Sequence, residues 1–291
     1  MINDLGELHG TDGATLLKAW EVAVSEGKRP LQRHSHIRFE ISCILEGSGV
    51  YTARDDKVYP ISKGDFFVFS SNEQHCITEV GKDGLRLINL HFEPRYFWGR
   101  SADSFSEQNI NFCFQHGDRF ENRIPAKSSA FISELFSQII EELSKKPPEY
   151  ALRIKSLLNF LIISLIRDFD YSSDTPPVSR DKFRSVRRAI KYIDQNLSVQ
   201  QSLAEVAAVA GMSPNYFSSL FHAVSGITLW EYVNSRRIDM AIRCLNDDEQ
   251  MNILDIALKC GFNNTANFNK TFKKVTGMTP KEYRAVGEQI I

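Results

Sequence analysis

The pattern of hydrophobic and polar positions changes its period near Pro125. Between residues 31 and 92, short apolar or aromatic runs are separated by turn-like sequences, among them EGSG at 46–49, RDDK at 54–57 and SKGD at 62–65. Closely spaced short strands of this kind favour a sandwich or a barrel. After Pro125, apolar residues recur every three or four positions, which indicates helices. We therefore predict an α+β chain in which a β-barrel precedes the helices.

Two helices are predicted directly after the strands, at residues 128–144 and at about 149–169, with Pro147 and Pro148 between them. The second helix carries an apolar stripe with spacings of 4, 3 and 4, formed by Ile154, Leu158, Leu161 and Leu165. Such a stripe packs along a neighbouring element. That neighbour could be the barrel of the same chain or a second copy in a dimer, because two heptads are too short to decide.

A polar connection separates these helices from the rest of the chain. The sequence DYSSDTPPVSRD at 170–181 has the Ser, Asp and Pro content of an exposed linker. Everything after it has the period of helices, beginning with the stripe Val186, Ile190, Ile193 and Leu197. We therefore divide the chain into a strand domain at 1–125, a helical element at 126–169, a linker at 170–181 and an all-helical domain at 182–291.

The helical domain contains one segment twice, as NYFSSLFHAVSG at 215–226 and as ANFNKTFKKVTG at 266–277. Each copy follows a short helical pattern and a glycine, Gly211 or Gly261, which permits the positive φ of a tight turn. This arrangement predicts two helix-turn-helix units. The positions that coincide at an offset of 51 are Phe217 and Phe268, Phe221 and Phe272, Val224 and Val275, and Gly226 and Gly277.

The ends of the duplicated helices are also predicted. Ser213 is the expected N-cap of the first copy, with Pro214 at the first helical position, and Asn264 is the expected N-cap of the second. A helix at about 229–245 between the units would be about 25 Å long at ~1.5 Å per residue. The two copies could then lie near the ~34 Å separation of successive major-groove segments on one face of DNA.

The polar faces of the two copies carry side chains that can read DNA. Asn binds adenine, Lys binds guanine or phosphate, and Ser and Thr suit base edges or backbone oxygens. For a single helix, an ordinary solvated face would be the simpler interpretation, but two copies in matched frames favour a DNA-binding interface. The candidates are Asn215, Ser218, Ser219 and His222 in the first copy, and Thr265, Asn267, Asn269, Lys270, Lys273 and Lys274 in the second.

The distribution of charge agrees with this interpretation. The formal net charge of the whole chain is only -1, but from Arg180 onward there are 15 Lys and Arg against 11 Asp and Glu. A cationic half can bind an anionic polymer, although a bias this mild also occurs on solvated faces.

Several classes of protein are disfavoured by the composition. The longest apolar run, at 157–166, is about half of the ~20 residues that a membrane helix needs, and the N-terminus lacks the basic and apolar regions of a secretion signal. The five cysteines are widely scattered without a CxxC pair, so we expect reduced, mostly buried thiols. We therefore expect a cytoplasmic protein with no membrane partner.

The helical domain contains the segments LAEVAAVAGMSPNYFSSLFHAVSGITLWEYVNSRRIDMAIRCLN at 203–246 and ILDIALKCGFNNTANFNKTFKKVTGMTPKEYR at 253–284. These two segments closely resemble the DNA-binding domain of the AraC/XylS family of bacterial transcription regulators. The resemblance implies seven helices, two helix-turn-helix motifs joined by a long helix, and activation through contact with RNA polymerase. Carried over by position, the base-reading candidates are Asn215, Ser218, Ser219, Thr265, Ala266, Asn269 and Lys270. The first motif departs from the usual family pattern because it has no Arg or Gln at its base-reading positions. Contacts that depend on DNA shape or on phosphates would therefore contribute more of its affinity.

The strand domain holds a group of candidate metal or effector ligands. In HSHIRFE at 34–40, His34, His36 and Glu40 are separated by even steps, so an extended strand would place them on one face. His75 closes a later strand, in KGDFFVFSSNEQHC. Imidazoles with a carboxylate suit Fe, Mn, Ni or Zn, and open coordination positions would permit oxygenase or isomerase chemistry.

These four residues resemble the two metal motifs of the cupin family, HxHxxxE followed downstream by H. The second motif departs from the family pattern, since Ser70 and Asn72 stand where PxG is usual. In the regulatory cupin domains of the AraC/XylS family, the resemblance implies an effector pocket instead of a catalyst.

Three interpretations of the group stay open. The first is an effector pocket lined by His34, His36, Arg38, Glu40 and His75. The second is a bound divalent metal held by His34, His36, Glu40 and His75. The third is a polar outer face, with Phe39, Ile41, Cys43 and Leu45 packed inward.

The combined hypothesis is an effector-responsive transcription activator with a cupin-like jelly-roll sensor, a helical dimerisation element, a linker and a bipartite DNA-binding domain. The expected partners are double-stranded DNA, RNA polymerase, a second copy of the chain and a small polar effector such as a sugar. No cofactor is required, and a divalent metal in the sensor is an option. The alternatives are a metal-dependent cupin enzyme with a DNA-binding tail, and an adaptor whose helices bind only proteins.

Overall fold

The computed structural model describes residues 2–9, 15–28, 34–97, 112–172, 178–247 and 250–286. The chain divides into two compact units. One contains the strands and the first two helices, and the other contains the helices that follow residue 174 together with the segment His34–Ile37. Within the described residues, no helix combines the length and the apolar character needed to cross a membrane.

The first unit contains one antiparallel sheet in the order β1-β2-β7-β4-β6-β8, with β3 paired to β7 and β5 paired to β4. The sheet confirms the α+β class, but β1, β2 and β3, which precede residue 31, were not predicted from the sequence. The strands are β1 (Ile2–His9), β2 (Thr15–Val24), β3 (Gly27–Lys28), β4 (Phe39–Thr52), β5 (Val58–Ile61), β6 (Phe66–Phe69), β7 (Cys76–Phe92) and β8 (Arg123–Ile124).

One predicted turn is wrong. EGSG at 46–49 lies inside β4, where the pairing with β7 shifts register between Ile44 and Glu46 and again between Gly47 and Gly49. Gly47 has a φ of 91°, a conformation that glycine adopts without the steric cost of a Cβ atom. The glycines therefore bend a long strand at irregular pairings instead of ending it.

Two helices, α1 (Ala130–Lys145) and α2 (Tyr150–Asp168), follow the strands and pack against each other. Phe136 on α1 contacts Phe66 on β6, with ring centroids 5.3 Å apart, so the helices cover one face of the sheet. The predicted stripe on α2 is fully buried within its own unit. A dimer seam built from Ile154, Leu158, Leu161 and Leu165 is therefore wrong.

The predicted linker is less exposed at its start than its composition indicated. Tyr171 is buried, and its hydroxyl group donates a hydrogen bond of 2.8 Å to the carbonyl oxygen of Phe112. Its ring also lies edge-on to Phe120. Tyr171 thus packs the segment that follows α2 into the interior of the first unit. Residues 173–177 lie outside the described part of the chain.

In the described residues from 178 onward, the regular secondary structure of the second unit is helical. It has seven helices, the number that the family resemblance implied, and α4–α5 and α7–α8 form the two helix-turn-helix units. The helices are α3 (Arg180–Gln195), α4 (Leu203–Ala210), α5 (Pro214–Ser225), α6 (Leu229–Asp247), α7 (Ile253–Lys259), α8 (Thr265–Thr276) and α9 (Pro280–Val286).

The duplication extends to the hydrogen bonds that begin and end the helices. Ser202 and Asn252, 50 positions apart, each accept a hydrogen bond from the third residue of the next helix. Thr228 and Thr279, 51 positions apart, directly precede α6 and α9, and each backbone amide donates to a glutamate three residues later. Asn264 caps α8 as predicted, accepting from the backbone amide of Asn267 at 2.8 Å. Each repeat therefore specifies its own helix boundaries locally.

Ser213 and Pro214 occupy the predicted N-cap and first helical positions of α5, but the Ser213 hydroxyl group makes no capping hydrogen bond. The two turn glycines have φ values of 72° at Gly211 and 82° at Gly261, which confirms the predicted left-handed conformation. All five cysteines are free, as expected, and all but Cys43 are buried.

The two turn glycines predict a pair of unequal mutants. Gly211→Ala should destabilise the second unit by about 1–2 kcal/mol, because a Cβ atom is unfavourable at positive φ. At Gly211 the added atom meets open space, whereas at Gly261 it would overlap the Leu197 carbonyl oxygen and approach the Arg237 guanidinium group. Gly261→Ala should therefore cost a further ~1–3 kcal/mol. Urea unfolding of both variants measures the difference, and equal losses would contradict the packing at Gly261.

Candidate DNA-reading and effector-binding sites

The second helices of the two motifs, α5 and α8, are fixed by matched aromatic contacts. Phe221 meets Tyr232 with ring centroids 5.7 Å apart, and Phe272 meets Tyr283 at 5.6 Å. Tyr232 and Tyr283 are themselves 51 positions apart, so the duplication includes the partner of each phenylalanine. Each recognition helix is therefore held by the same buried contact, which leaves its opposite face free for DNA.

The structure exposes the predicted base-reading faces. Of the eleven side chains predicted to contact DNA, ten are exposed and Thr265 is half-buried. Lys274 lies 3.5 Å from Glu231 in an exposed ion pair. The exposed candidates are Asn215, Ser218, Ser219 and His222 on α5, and Ala266, Asn267, Asn269, Lys270, Lys273 and Lys274 on α8.

Sequence reasoning missed one residue of this surface. Tyr216 is an exposed aromatic residue on α5, and the offset of 51 matches it to Asn267, which was a candidate. The amino group of Lys182 lies 5.8 Å from its ring centroid. Applying the repeat offset to every polar position of the second motif would have found Tyr216.

A buried ion pair joins α3 to α6. Arg236 Nε donates a 2.8 Å hydrogen bond to Asp194 Oδ1, and the Tyr232 hydroxyl group donates to the same oxygen at 3.3 Å. Asp239 lies on the far side of the guanidinium group, 3.6 Å from Arg236 Nη1. Because α3 packs on the first motif and α6 leads to the second, this pair helps to fix the helix that connects them.

In the first unit, the predicted ligand His75 and a second histidine, His91, both contact the Glu40 carboxylate. His75 Nε2 lies 3.1 Å from Glu40 Oε2, and His91 Nε2 lies 2.9 Å from the same oxygen. The hydroxyl group of Ser42 lies 2.7 Å from Glu40 Oε1 and 2.7 Å from Asn89 Oδ1, and its single proton serves one of them at a time. Glu40, His75 and His91 are all buried.

The third interpretation of this cluster, a polar outer face, is therefore wrong. In the sheet, Glu40 and Ser42 of β4 lie opposite Phe69 and Phe67 of β6, and opposite His91 and Asn89 of β7. We call this the inner face of the sheet, and the alternate set with Phe39 and Ile41 the outer face. Residues on both faces of the sheet are buried, so the polarity of the side chains in the sequence could not show which face is the inner one.

Ser42, Asn89 and His91 were missed by the sequence reasoning. Ser42 follows Glu40 by two positions, so the even spacing already used for the histidines could have found it. Asn89 and His91 reach the cluster only through the antiparallel register of β4 with β7, in which Ser42 faces Asn89 and Glu40 faces His91. That register depends on pairing across about fifty residues and leaves no local signal.

The four predicted metal ligands are divided between the two units. Glu40 and His75 belong to the first unit, and His34 and His36 belong to the second. The two N-terminal histidines directly precede β4, and their ring centroids are 6.0 Å apart. Arg38, the remaining effector candidate, is half-buried in the same segment.

His75 is held from both sides. Its Nδ1 atom lies 2.9 Å from the carbonyl oxygen of Glu73, which can only accept, so this nitrogen carries a proton. Burial opposes the charged form of His75, but the charge of Glu40 and the hydrogen bonds outweigh it and raise its pKa. Phe69 stacks on the ring with centroids 4.0 Å apart, which fixes its plane.

A second buried network supports the loop that carries His75. The Glu73 carboxylate accepts from the Ser70 amide at 2.8 Å and from Asn122 Nδ2 at 2.8 Å, and it lies 3.1 Å from His116 Nε2. Burial alone would raise the pKa of Glu73, but the charge and hydrogen bond of His116, together with the other donors, lower it. The carbonyl group that orients His75 therefore belongs to a residue whose own side chain is fixed.

Two family models match this chain. The AraC-like ligand binding domain matches residues 26–162, and a helix-turn-helix domain matches residues 206–285. The first match contains the Glu40 cluster together with α1 and most of α2, and the second contains both recognition helices.

Similar proteins extend over most of the chain. The melibiose operon regulatory protein of Escherichia coli K12 is 24% identical over 262 residues, covering 88% of this chain and 84% of the relative. The HTH-type transcriptional activator RhaR of the same strain is also 24% identical over 262 residues, covering 88% of each chain.

Among solved structures, ToxT from Vibrio cholerae has a similar fold, with a TM-score of 0.65 and 11% identity over 94% of this chain and 99% of that one. With a ligand-binding domain, two helix-turn-helix motifs and relatives that regulate transcription, this chain belongs to the AraC family of DNA-binding transcriptional regulators.

Proposed function

We propose that this chain activates transcription by reading two successive major-groove segments with α5 and α8, under the control of a small molecule bound in its first unit. The observation that carries the proposal is the duplicated unit with matched caps, matched aromatic contacts and two different exposed polar faces. At ~1.5 Å per residue, the 19-residue α6 between the motifs is about 28 Å long. Its length fits two helices one helical turn of DNA apart.

Binding to operator DNA should weaken steeply as salt is raised. The exposed Lys270, Lys273 and Lys274 on α8 are placed to contact phosphates or guanine, and each phosphate contact releases counterions. A binding titration at several salt concentrations measures the slope. A flat response would instead support an adaptor that uses these helices for protein contacts.

Lys270→Ala should weaken operator binding by roughly 1–3 kcal/mol and relax the preference at one base pair, if this side chain reads guanine. Lys270 matches Ser219 in the first motif, so the two motifs would read different bases at equivalent positions. Gel-shift titration on operators with single base substitutions measures both effects.

The control for charge is Lys63→Ala, an exposed lysine in the first unit, which should leave operator binding unchanged. Equal weakening by Lys270→Ala on every DNA sequence would reassign the side chain to a phosphate. No weakening at all would remove Lys270 from the interface.

For the effector, we propose a small hydroxyl-rich molecule bound on the inner face near Glu40, His75 and His91. Carboxylate, imidazole and amide groups are suited to a polyol, and one relative is named for the melibiose operon. A crystal structure of the similar fold contains an unsaturated fatty acid, so the fold alone does not determine effector chemistry. The proposal therefore depends on the buried polar residues of the first unit, with Arg38 as a further candidate.

Calorimetric titration with a panel of sugars, and with an unsaturated fatty acid as the contrasting ligand, tests this proposal. Glu40→Gln keeps the size of the side chain but removes its charge, and we expect it to weaken sugar binding. Heat released only by the fatty acid would reassign the site to apolar effectors.

We further propose that the regulator is a homodimer. With the predicted stripe buried, the opposite face of α2 is available: Leu152 is 63% exposed and Phe160 is 58% exposed, with Ile163 on the same face. Exposed apolar stripes on monomers mark association surfaces, and a helix face paired with its own copy satisfies two-fold symmetry. Sedimentation should show Phe160→Asp as a monomer, and an unchanged mass would exclude this face.

As an activator, the chain would contact RNA polymerase and act in the cytoplasm, where its DNA partner lies. One relative is a transcriptional activator, which supports this sign of regulation. The alternative of a cupin enzyme with a DNA-binding tail is not favoured, since the relatives are regulators. A promoter fusion in cells tests activation, and reduced expression in the presence of the protein would indicate a repressor.

A further inference from the structure

We propose that Lys182 of α3 and Tyr216 of α5 together bind one phosphate group of the DNA backbone, at the edge of the groove segment read by the first motif. This inference rests on the proposed reading of DNA by α5, and it adds a contact from a helix outside both helix-turn-helix motifs. Its starting point is the position of Lys182, whose amino group lies 5.8 Å from the centroid of the Tyr216 ring. Both side chains are exposed.

The position of Tyr216 on α5 directs it to the border of the base-reading face. Asn215, Ser219 and His222 are spaced by four and three residues, so they share one face of the helix. Tyr216 directly follows Asn215, and one residue advances an α-helix by about 100°. Phe217, one residue further, is already buried. Because the first turn of a recognition helix lies deepest in the major groove, a side chain beside its base-reading face meets the phosphates that border the groove.

The recognition helix of the first motif needs a cation from elsewhere. α5 contains no Lys or Arg, whereas α8 contains three lysines. Phosphate contacts made by Lys and Arg supply the salt-dependent part of DNA affinity. Lys182 is a lysine that the structure places beside the first turn of α5, although it belongs to another helix.

α3 is fixed against the first motif, so Lys182 has a defined place there. α3 packs on both α4 and α5, with Phe183 and Val186 buried on its apolar face. Arg188 Nη2 also donates a hydrogen bond of 3.4 Å to the carbonyl oxygen of Ala210, the last residue of α4.

The two side chains offer different donors to one phosphate group. The ammonium group of Lys182 lies within the range of a cation–π interaction with the Tyr216 ring, and its N–H groups can still donate to a phosphate oxygen. The hydroxyl group of Tyr216 can donate to another oxygen of the same phosphate. Such a contact carries no base preference, so it would fix the register of α5 on the duplex.

Operator DNA with single methylphosphonate substitutions tests the contact, because each substitution removes the charge of one phosphate at a known position. We expect one substitution beside the tract read by α5 to weaken binding of the full-length wild type by about tenfold and to leave binding of Lys182→Gln unchanged. On unmodified operator, Lys182→Gln should reduce the slope of log K against log salt by about 0.9, the value for one phosphate contact. Tyr216→Phe, which removes only the hydroxyl group, should weaken binding by the same factor on every operator sequence.

The matched control is Lys191→Gln. Lys191 is an exposed lysine of α3 that lies nine residues after Lys182, which places it on the opposite side of the helix. Removing the same charge there should leave the salt slope and the methylphosphonate profile unchanged.

A Lys182→Gln variant with the salt slope and methylphosphonate profile of the wild type would overturn the proposal. If that variant also fails to activate a promoter in cells, the side chain contacts a protein instead of DNA. A steep slope in the wild type that Lys182→Gln retains rejects this contact alone, whereas a flat slope in the wild type rejects the reading of DNA itself.

Discussion

Phe272→Ala should lower the free energy of unfolding of the second unit by about 3–5 kcal/mol and abolish operator binding. Phe272 is fully buried in a cluster formed by α6, α7, α8 and α9, where it contacts Phe268 and Tyr283. Removing the ring leaves a cavity that the surrounding helices fill only in part. Since the same ring supports the recognition helix from behind, loss of stability and loss of DNA binding should occur together.

Urea unfolding followed by circular dichroism measures this effect, with binding measured on the same samples. Phe221→Ala, the equivalent change in the first motif, should cost a similar amount, whereas Val199→Ala, at an exposed position of the same unit, should stay within about 0.5 kcal/mol. A folded Phe272→Ala protein with normal stability and no DNA binding would contradict the assignment of Phe272 to the core.

Asp194→Ala should destabilise the second unit by about 3–5 kcal/mol, because it removes a buried carboxylate that accepts a hydrogen bond from the Arg236 guanidinium group. Arg236 is only 3% exposed, and Asp194 accepts hydrogen bonds from both Arg236 and Tyr232. Asp239, at 3.6 Å, is too distant to replace the lost hydrogen bond. The loss should appear as a lower urea midpoint.

A double mutant measures how much the interaction between Asp194 and Arg236 contributes to the free energy of unfolding. Asp194→Ala is combined with Arg236→Met, and the free energies of unfolding of the two single mutants and the double mutant give the interaction energy of the pair, with Asp239 present in all of them. If the double mutant is as unstable as the sum of the single mutants, the two side chains do not interact. A loss below about 1 kcal/mol in Asp194→Ala would show that water reaches the pair.

The helical half of the chain could be predicted closely from its sequence because its rules are local. Caps, turn glycines and apolar spacings all act within about four residues, and their repetition gave each assignment an internal check. The helix joining the motifs was predicted at 229–245 and is observed at Leu229–Asp247. One contact differs from the prediction: Ser213 occupies the N-cap position of α5, but its hydroxyl group makes no capping hydrogen bond.

The sheet was less predictable because its pairing is long-range. β1 and β2 lack a strong alternation, and EGSG has the composition of a turn although it lies within β4. Which face of β4 is inside could not be decided, since α1 buries the face that an isolated sheet would expose. His91 joins Glu40 only through the register of β4 with β7.

Hydroxyl-radical footprinting of the full-length protein on its operator tests the double reading most directly. Two recognition helices on one chain predict two protected tracts on the same face of the duplex, about one helical turn apart. Lys270→Ala should weaken the tract contacted by α8 and leave the other in place. Protection limited to a single groove segment, or no protected tract at all, would contradict the assignment of both motifs to DNA.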